Sequence, residues 1–481
     1  MHTQRIFTGL LAGALIAALA GCSGSGALSG TTTPSAQTGS AFLTGTDAPL
    51  PSIVSFQVQV TNVTVSDGTN PPVSILSAPQ TIDFARFNGL QSLLDFNAIP
   101  AGTYTTITVS LADPMLAYLN TSQTGAPPTI STVPNPTLLS STATVLLPTP
   151  FTVTAGQNIG LQMDFNLRNS IQVDASGQVT GVINPNINFT VLTPGTPDAE
   201  IDEFNASVVS VNASAGSFVV QNAHGKQFTI AANSNTEWED NATINSLTPN
   251  QTIVTVAGQM DPSSQTIDAT DISILSQSGF YAGGLVTYVN PTSGAATNFN
   301  MYVRGTLPTG TGVTLGQIAN VNLTGSENFS IFRRHTPFAS YVFNASSLIP
   351  GQHVTVGGPA SGAVNAQSLT AQNVVLHLGG FSGTVVAGSV NMPNSSFQMN
   401  VDGIKGILFN GPVTVYLVGD TQFRFGFHGL GDLQNAGTAR VRVVGFVLKD
   451  PSTGNPIILG KFVDDKHALD QQDSKDGSHD N

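Results

Sequence analysis

The sequence predicts an all-β protein, an N-terminal antiparallel β-sandwich followed by about three small β-barrel-like modules, on three observations. Charged residues make up only 9% of the 481 residues and hydrophobic residues 40%. That balance builds cores but lacks the Glu and Lys of helical bundles. Apolar residues alternate with polar ones in Val54, Phe56, Val58 and Val60, in Ile107, Val109 and Leu111, and in Leu161, Met163, Phe165 and Leu167. Period two is the pattern of a strand with one buried face. Finally, a strand ending in glycine recurs at residues 254–258 (VTVAG), 354–358 (VTVGG) and 441–445 (VRVVG).

At the amino terminus, Arg5 precedes an apolar run over residues 6–20. The run is shorter than the ~20 residues of a spanning helix, so residues 1–21 read as a secretion signal. Leu19, Ala20, Gly21 and Cys22 resemble a bacterial lipobox. The resemblance implies cleavage before Cys22, a diacylglycerol on its sulfur and acylation of the new amino terminus. Cys22 is the only cysteine, which excludes intrachain disulfides and Cys-ligated zinc. The Ser/Gly/Thr-rich stretch from 22 to 40 reads as a flexible tether. Ser23, in place of an Asp, leans the location toward the outer rather than the inner membrane. The expected location is the cell envelope, with the membrane engaged through the lipid alone.

The first folded unit covers residues 41–192. After Thr61 and Asn62 the apolar phase moves to Val63 and Val65, which predicts a β-bulge. The segments Thr46-Asp47-Ala48-Pro49 and Pro100-Ala101-Gly102-Thr103-Tyr104-Thr105, then Ala155-Gly156, Asp164-Phe165 and Ser170, resemble family DUF4382, a domain of unknown function. That resemblance implies a place among bacterial lipoproteins and surface proteins; the family carries no assigned activity. A Pro/Gly-containing linker spans 193–202. Three modules follow at 203–276, 280–377 and 381–463, each with an opening strand, the glycine-ended strand and a further apolar segment. In the first, residues 217–220, 235–237 and 254–258 resemble family DUF5666, whose small barrels imply five or six strands per module. Closure would hide the strand edges. Residues 464–481, charged and without apolar periodicity, read as a disordered tail.

A net charge of −13 and pI near 4.8 argue against nucleic acid as a partner, since phosphate binding needs clustered Lys and Arg. No G-x-S-x-G, H-E-x-x-H or calcium-loop motif occurs, and no cofactor is implied. His224, His335, His353, His377 and His428 are dispersed along the chain. Glu237 and Glu239 flank Trp238, the only tryptophan. An aromatic platform beside carboxylates suits a sugar, whereas an indole packed on the module surface explains the same residues without a ligand. Arg333 and Arg334 could receive a partner's carboxylate or phosphate, or be solvated in a loop. Phe423, Phe425 and Phe427 alternate and are expected to share a core face. The leading functional expectation is a non-catalytic envelope binding and scaffold protein engaging glycans, envelope polymers or proteins. Two alternatives stand beside it: a carbohydrate-active surface enzyme whose carboxylates are assembled by folding, and a periplasmic assembly factor.

Overall fold

A computed structural model of the chain describes residues 37–465, except 49, 51, 88, 121–128, 176–178, 309–312, 333–340, 360–366, 404–405, 407 and 437–438. The stretch read as a secretion signal, Cys22, most of the stretch read as a tether, Arg333, Arg334, His335 and residues 466–481 lie outside the described residues. Among the described residues the fold is all-β, and no helix is long and apolar enough to cross a membrane.

The N-terminal domain contains β1 (Thr38–Ala48), β2 (Ser55–Ser66), β3 (Val73–Ser74), β4 (Gln80–Asp83), β5 (Ser92–Pro100), β6 (Gly102–Asn120), β7 (Thr129–Thr132), β8 (Thr137–Leu138), β9 (Thr142–Val153), β10 (Asn158–Asn166), β11 (Ile171–Val173), β12 (Val179–Ile183) and β13 (Ile187–Leu192). One sheet runs β13-β10-β1-β5; the other runs β3-β2-β6-β7, with β4 on β2 and β9 on β6. The alternating residues become the core between them: Phe56, Val58, Val60, Ile107, Val109, Leu161, Met163 and Phe165 are buried together. Full burial of each such side chain contributes roughly 1.5–3 kcal/mol. The bulge falls where the phase change predicts it. Val60 pairs with Leu111 and Asn62 with Ser110, so Thr61 is the extra residue, and Val63 and Val65 stay inside. Two expectations are corrected. The sandwich is not purely antiparallel, because β1 pairs with β10 in parallel. And β1 starts at Thr38, within the stretch read as tether, because β5 and β10 on either side satisfy its backbone.

Three barrels follow. The first holds β14 (Glu200–Asn212), β15 (Ser217–Gln221), β16 (Gln227–Ala231), β17 (Glu237–Trp238), β18 (Ile253–Met260) and β19 (Thr266–Ser276). The second holds β20 (Tyr281–Asn290), β21 (Asn298–Leu307), β22 (Ile318–Asn322), β23 (Asn328–Ile331), β24 (His353–Gly357), β25 (Ser368–Thr370) and β26 (Asn373–His377). The third holds β27 (Gly379–Val385), β28 (Ser396–Val401), β29 (Val413–Arg424), β30 (Arg440–Lys449) and β31 (Pro456–Asp465). Taking β25 and β26 as one interrupted fifth strand, each barrel repeats one connectivity. Strands one–two, two–three, one–four and four–five pair antiparallel, and strand three closes on strand five in parallel. This is the connectivity of the five-stranded Greek-key OB barrel.

The glycine repeat of the sequence is the fourth strand of each barrel. A Cβ on Gly258, Gly358 or Gly445 would come within 2.3, 2.2 and 2.2 Å of the carbonyl oxygens of Asp268, Thr370 and Leu459, all on the fifth strand. The backbones cross too closely there for any side chain. Gly445→Ala is therefore expected to lower stability by about 2–3 kcal/mol, read as a drop in the urea midpoint. An unchanged midpoint would show that the crossing gives way freely.

The four β-units are welded rather than strung. Phe42, Leu93, Phe96 and Leu192 of the N-terminal domain share a core with Ile201 and Phe204 of the first barrel. Ile253, Ala257 and Leu275 pack on Tyr281, Phe332 and Val375 of the second. Val444, Phe446 and Leu459 of the third join the second barrel's core, as does Leu90 from the N-terminal domain. Consequently the stretch read as a linker, 193–202, is packed: Ala199 and Ile201 are fully buried. At the far end, Asp464 is not tail but strand. It is fully buried and accepts hydrogen bonds from Arg424 Nε (2.7 Å) and Arg442 Nε (2.8 Å). Phe423 and Phe427 pack in the third core, but Phe425 follows the end of β29 with φ +55° and is exposed, because the turn breaks the strand's alternation.

Candidate functional site

Where the N-terminal domain and the first two barrels meet, a partly open cavity of about 150 Å³ is lined by both polar and apolar side chains. Strand alternation supplies its walls. On β21 the inward file is Phe299, Met301 and Val303, so Tyr302, Arg304 and Thr306 point away from their own barrel and toward the N-terminal domain. On β24, His353 and Thr355 alternate outward with inward Val354 and Val356. On β14, a register shift between Ile201 and Phe204 leaves Asp202 and Glu203 facing outward. Gln91 of the N-terminal domain zips onto that bulge: its N–H donates to Asp202 Oδ2 (2.9 Å) and its carbonyl accepts from Asp202 N (2.9 Å).

Two buried charge sets result. Asp83, at the end of β4, accepts hydrogen bonds from Ser55 Oγ (2.8 Å) and Phe56 N (3.0 Å). Burial raises its pKa, and the positive field of Arg304 opposes that rise. Arg304 donates through Nη2 to the Val54 carbonyl (2.7 Å), tying the second barrel to the N-terminal domain. Burial lowers the Arg304 pKa, and Asp83 opposes that.

In the second set, Glu203 Oε2 lies 3.2 Å from His377 Nδ1, and Glu203 Oε1 accepts from Asn205 Nδ2 (2.9 Å). Burial would push the Glu203 carboxyl up, but His377 and His353 outweigh it and hold the pKa well below its usual range. His377 Nε2 is 2.9 Å from Thr355 Oγ1, and the His353 and His377 rings are 5.5 Å apart. His353 Nδ1 lies 3.2 Å from the Leu378 carbonyl, which selects the neutral tautomer protonated at Nδ1. Burial pushes the His353 pKa down to about 4, against the pull of Glu203. Burial likewise pushes the Tyr281 hydroxyl up to about 12. His224, also lining the cavity, is lowered by burial and then by Arg86.

This arrangement braces three units. Asp83 accepts a hydrogen bond at each oxygen and Glu203 at Oε1, with Oε2 3.2 Å from His377 Nδ1, and the cavity is well below the ~300–1,000 Å³ of ordinary ligand sites. Arg304 Nε and Thr306 Oγ1 are buried there without a protein hydrogen-bond partner. Among the described residues, no group of three or more His, Cys, Asp or Glu is placed to hold a metal ion.

Glu237, Trp238 and Glu239, singled out by sequence, lie elsewhere. β17 ends at Trp238, and Glu239–Asn241 turns away with Asp240 at φ +57°. Glu237 is exposed and Glu239 buried, so the two carboxylates do not share a strand face. The indole packs on the first barrel's core, its ring 6.2 Å from Phe218. The structure instead brings together His353 and His377, dispersed in sequence, with Glu203. One signal pointed there: each histidine borders an apolar strand-forming run, Val354-Thr355-Val356 after His353 and Val374-Val375-Leu376 before His377.

These features define a class of protein: several all-β units merged through buried polar braces into one body. Residues 38–181, from the first residue of β1 into β12, match the sequence model of the family described as a domain of unknown function (DUF4382). This places the resemblance read from residues 46–49, 100–105 and 155–170 on the N-terminal domain. No curated protein matches the chain.

Proposed function

We propose that the chain is a lipid-anchored binding and scaffold protein of the cell envelope, tethered through Cys22, with its partners among glycans, envelope polymers or proteins. The observation that carries this reading is the fusion of the four β-units by shared apolar cores and buried charges. Such a body holds its outer faces at fixed positions relative to one another, which is what a scaffold requires. The DUF4382 match and the lipobox-like residues 19–22 support the envelope placement. The shared barrel connectivity supports relating all three modules to family DUF5666. The engaged oxygens of Asp83 and Glu203 favour the scaffold over a carbohydrate-active enzyme, since an acid/base pair needs carboxyl groups free to meet substrate.

Cys22→Ala is expected to release the protein from the membrane fraction of lysed cells. Continued sedimentation with membranes would overturn the anchor. Protease added to intact cells then assigns the face: cleavage with a periplasmic control intact places the body outside the cell.

A further inference from the structure

The second barrel carries a polar grid on its outer surface. Register aligns Tyr288, Asn300, Asn320 and Ser368 in one row across four strands, and Asn290, Asn298, Asn322 and Thr370 in another. Between them runs a buried apolar row, Val289, Phe299, Val321 and Leu369, so both polar rows face outward. All eight polar residues are half-buried or exposed. The amides interlock: Asn320 Nδ2 donates to Asn300 Oδ1 (3.1 Å), and Asn322 Nδ2 donates to Ser368 Oγ (3.1 Å). Further along β21 the same outward file continues into Tyr302 and Arg304, which the N-terminal domain covers. The grid is thus an open shelf with a fixed wall at one end.

We propose that this shelf binds a neutral glycan chain, a proposal that rests on the envelope-binding reading and names its site. The shelf holds no charged side chain, on a chain of net charge −13, so polyanions gain nothing there and meet a repelling field. Asn amides present donors and acceptors together, which is what sugar hydroxyls require. Neighbouring strands repeat at about 4.8 Å, comparable with the length of one pyranose unit, so successive Asn residues can meet successive sugars. Tyr288 at the row's end supplies a ring with an apolar face and a polar tip.

The test is titration calorimetry of the full chain in detergent with cellohexaose, laminarihexaose and maltohexaose, using an oligogalacturonate and a thymidine oligonucleotide as charged comparators. At least one neutral hexasaccharide is expected to bind. Its affinity should fall about tenfold or more in Asn300→Ala/Asn320→Ala and in Tyr288→Ala, with the melting temperature unchanged. Gln221→Ala/Thr229→Ala, on the corresponding face of the first barrel, should bind as the parent does. Should the double variant melt early, exposed Asn322→Ala alone must still weaken binding. Binding unaffected by these changes, binding of the charged oligomers alone, or binding of no hexasaccharide would each overturn the proposal. A protein that binds no hexasaccharide yet still requires Cys22 for membrane association overturns the shelf and leaves the anchor standing.

Discussion

Arg304→Ala is expected to destabilise the protein by about 1–3 kcal/mol, the cost of taking a donor from a buried carbonyl and a positive field from a buried carboxyl. Asp83 sits inside the junction with its carboxyl already disfavoured by burial, and Arg304 opposes that penalty. Removing the guanidinium also takes the hydrogen bond from the Val54 carbonyl. The loss should appear as a lower urea midpoint and as faster hydrogen exchange in β2 and β21 together, since the side chain joins those strands. Adding Asp83→Asn should recover part of the loss, because a neutral side chain there no longer needs the opposing field of Arg304. A single variant as stable as the parent, or a double variant whose losses simply add, would show that the two groups do not brace the junction.

The second large effect is acid sensitivity. His353 titrates near pH 4 in the fold against an ordinary value of 6.5. Between those limits the unfolded chain binds a proton that the folded chain refuses. Stability from this group is therefore complete above pH 6.5 and is lost progressively as pH falls toward 4. The amount is on the order of 3 kcal/mol. Glu203, His377 and Arg304 face the same ring and set how strongly it resists protonation. The depressed Glu203 carboxyl acts in a lower window, its contribution present above 4.5 and lost as pH falls further. His353→Gln should flatten the dependence between about pH 6.5 and 4 and leave the more acidic limb. Melting temperatures across that range decide it: an equally steep slope in the variant would remove His353 from the account.

Much of the scaffold was readable from local pattern, and particular residues show why. Val60 followed by Val63 breaks period two, and only an extra residue at Thr61 reconciles that with one buried face. Gly258, Gly358 and Gly445 mark the same backbone crossing in three barrels, so the repeat survives where the surrounding sequence has diverged. The junction was hidden for a physical reason. Glu203, Arg304 and His353 occupy outward strand positions, and alternation cannot tell an outward face that meets water from one that meets another unit. The same ambiguity explains the stretch 193–202, whose Pro and Gly suggest a linker although Ala199 and Ile201 are buried by a neighbour that is distant in sequence. At Trp238 the error was local: Asp240 adopts a left-handed conformation that ends the strand and separates Glu237 from Glu239.

Differential scanning calorimetry of the full chain tests the central claim most directly. Four β-units sharing cores and buried charges should unfold in one transition, with calorimetric and van't Hoff enthalpies equal. Two or more resolved transitions, or a van't Hoff enthalpy well below the calorimetric one, would mean that the units unfold independently and that the body is a string of modules.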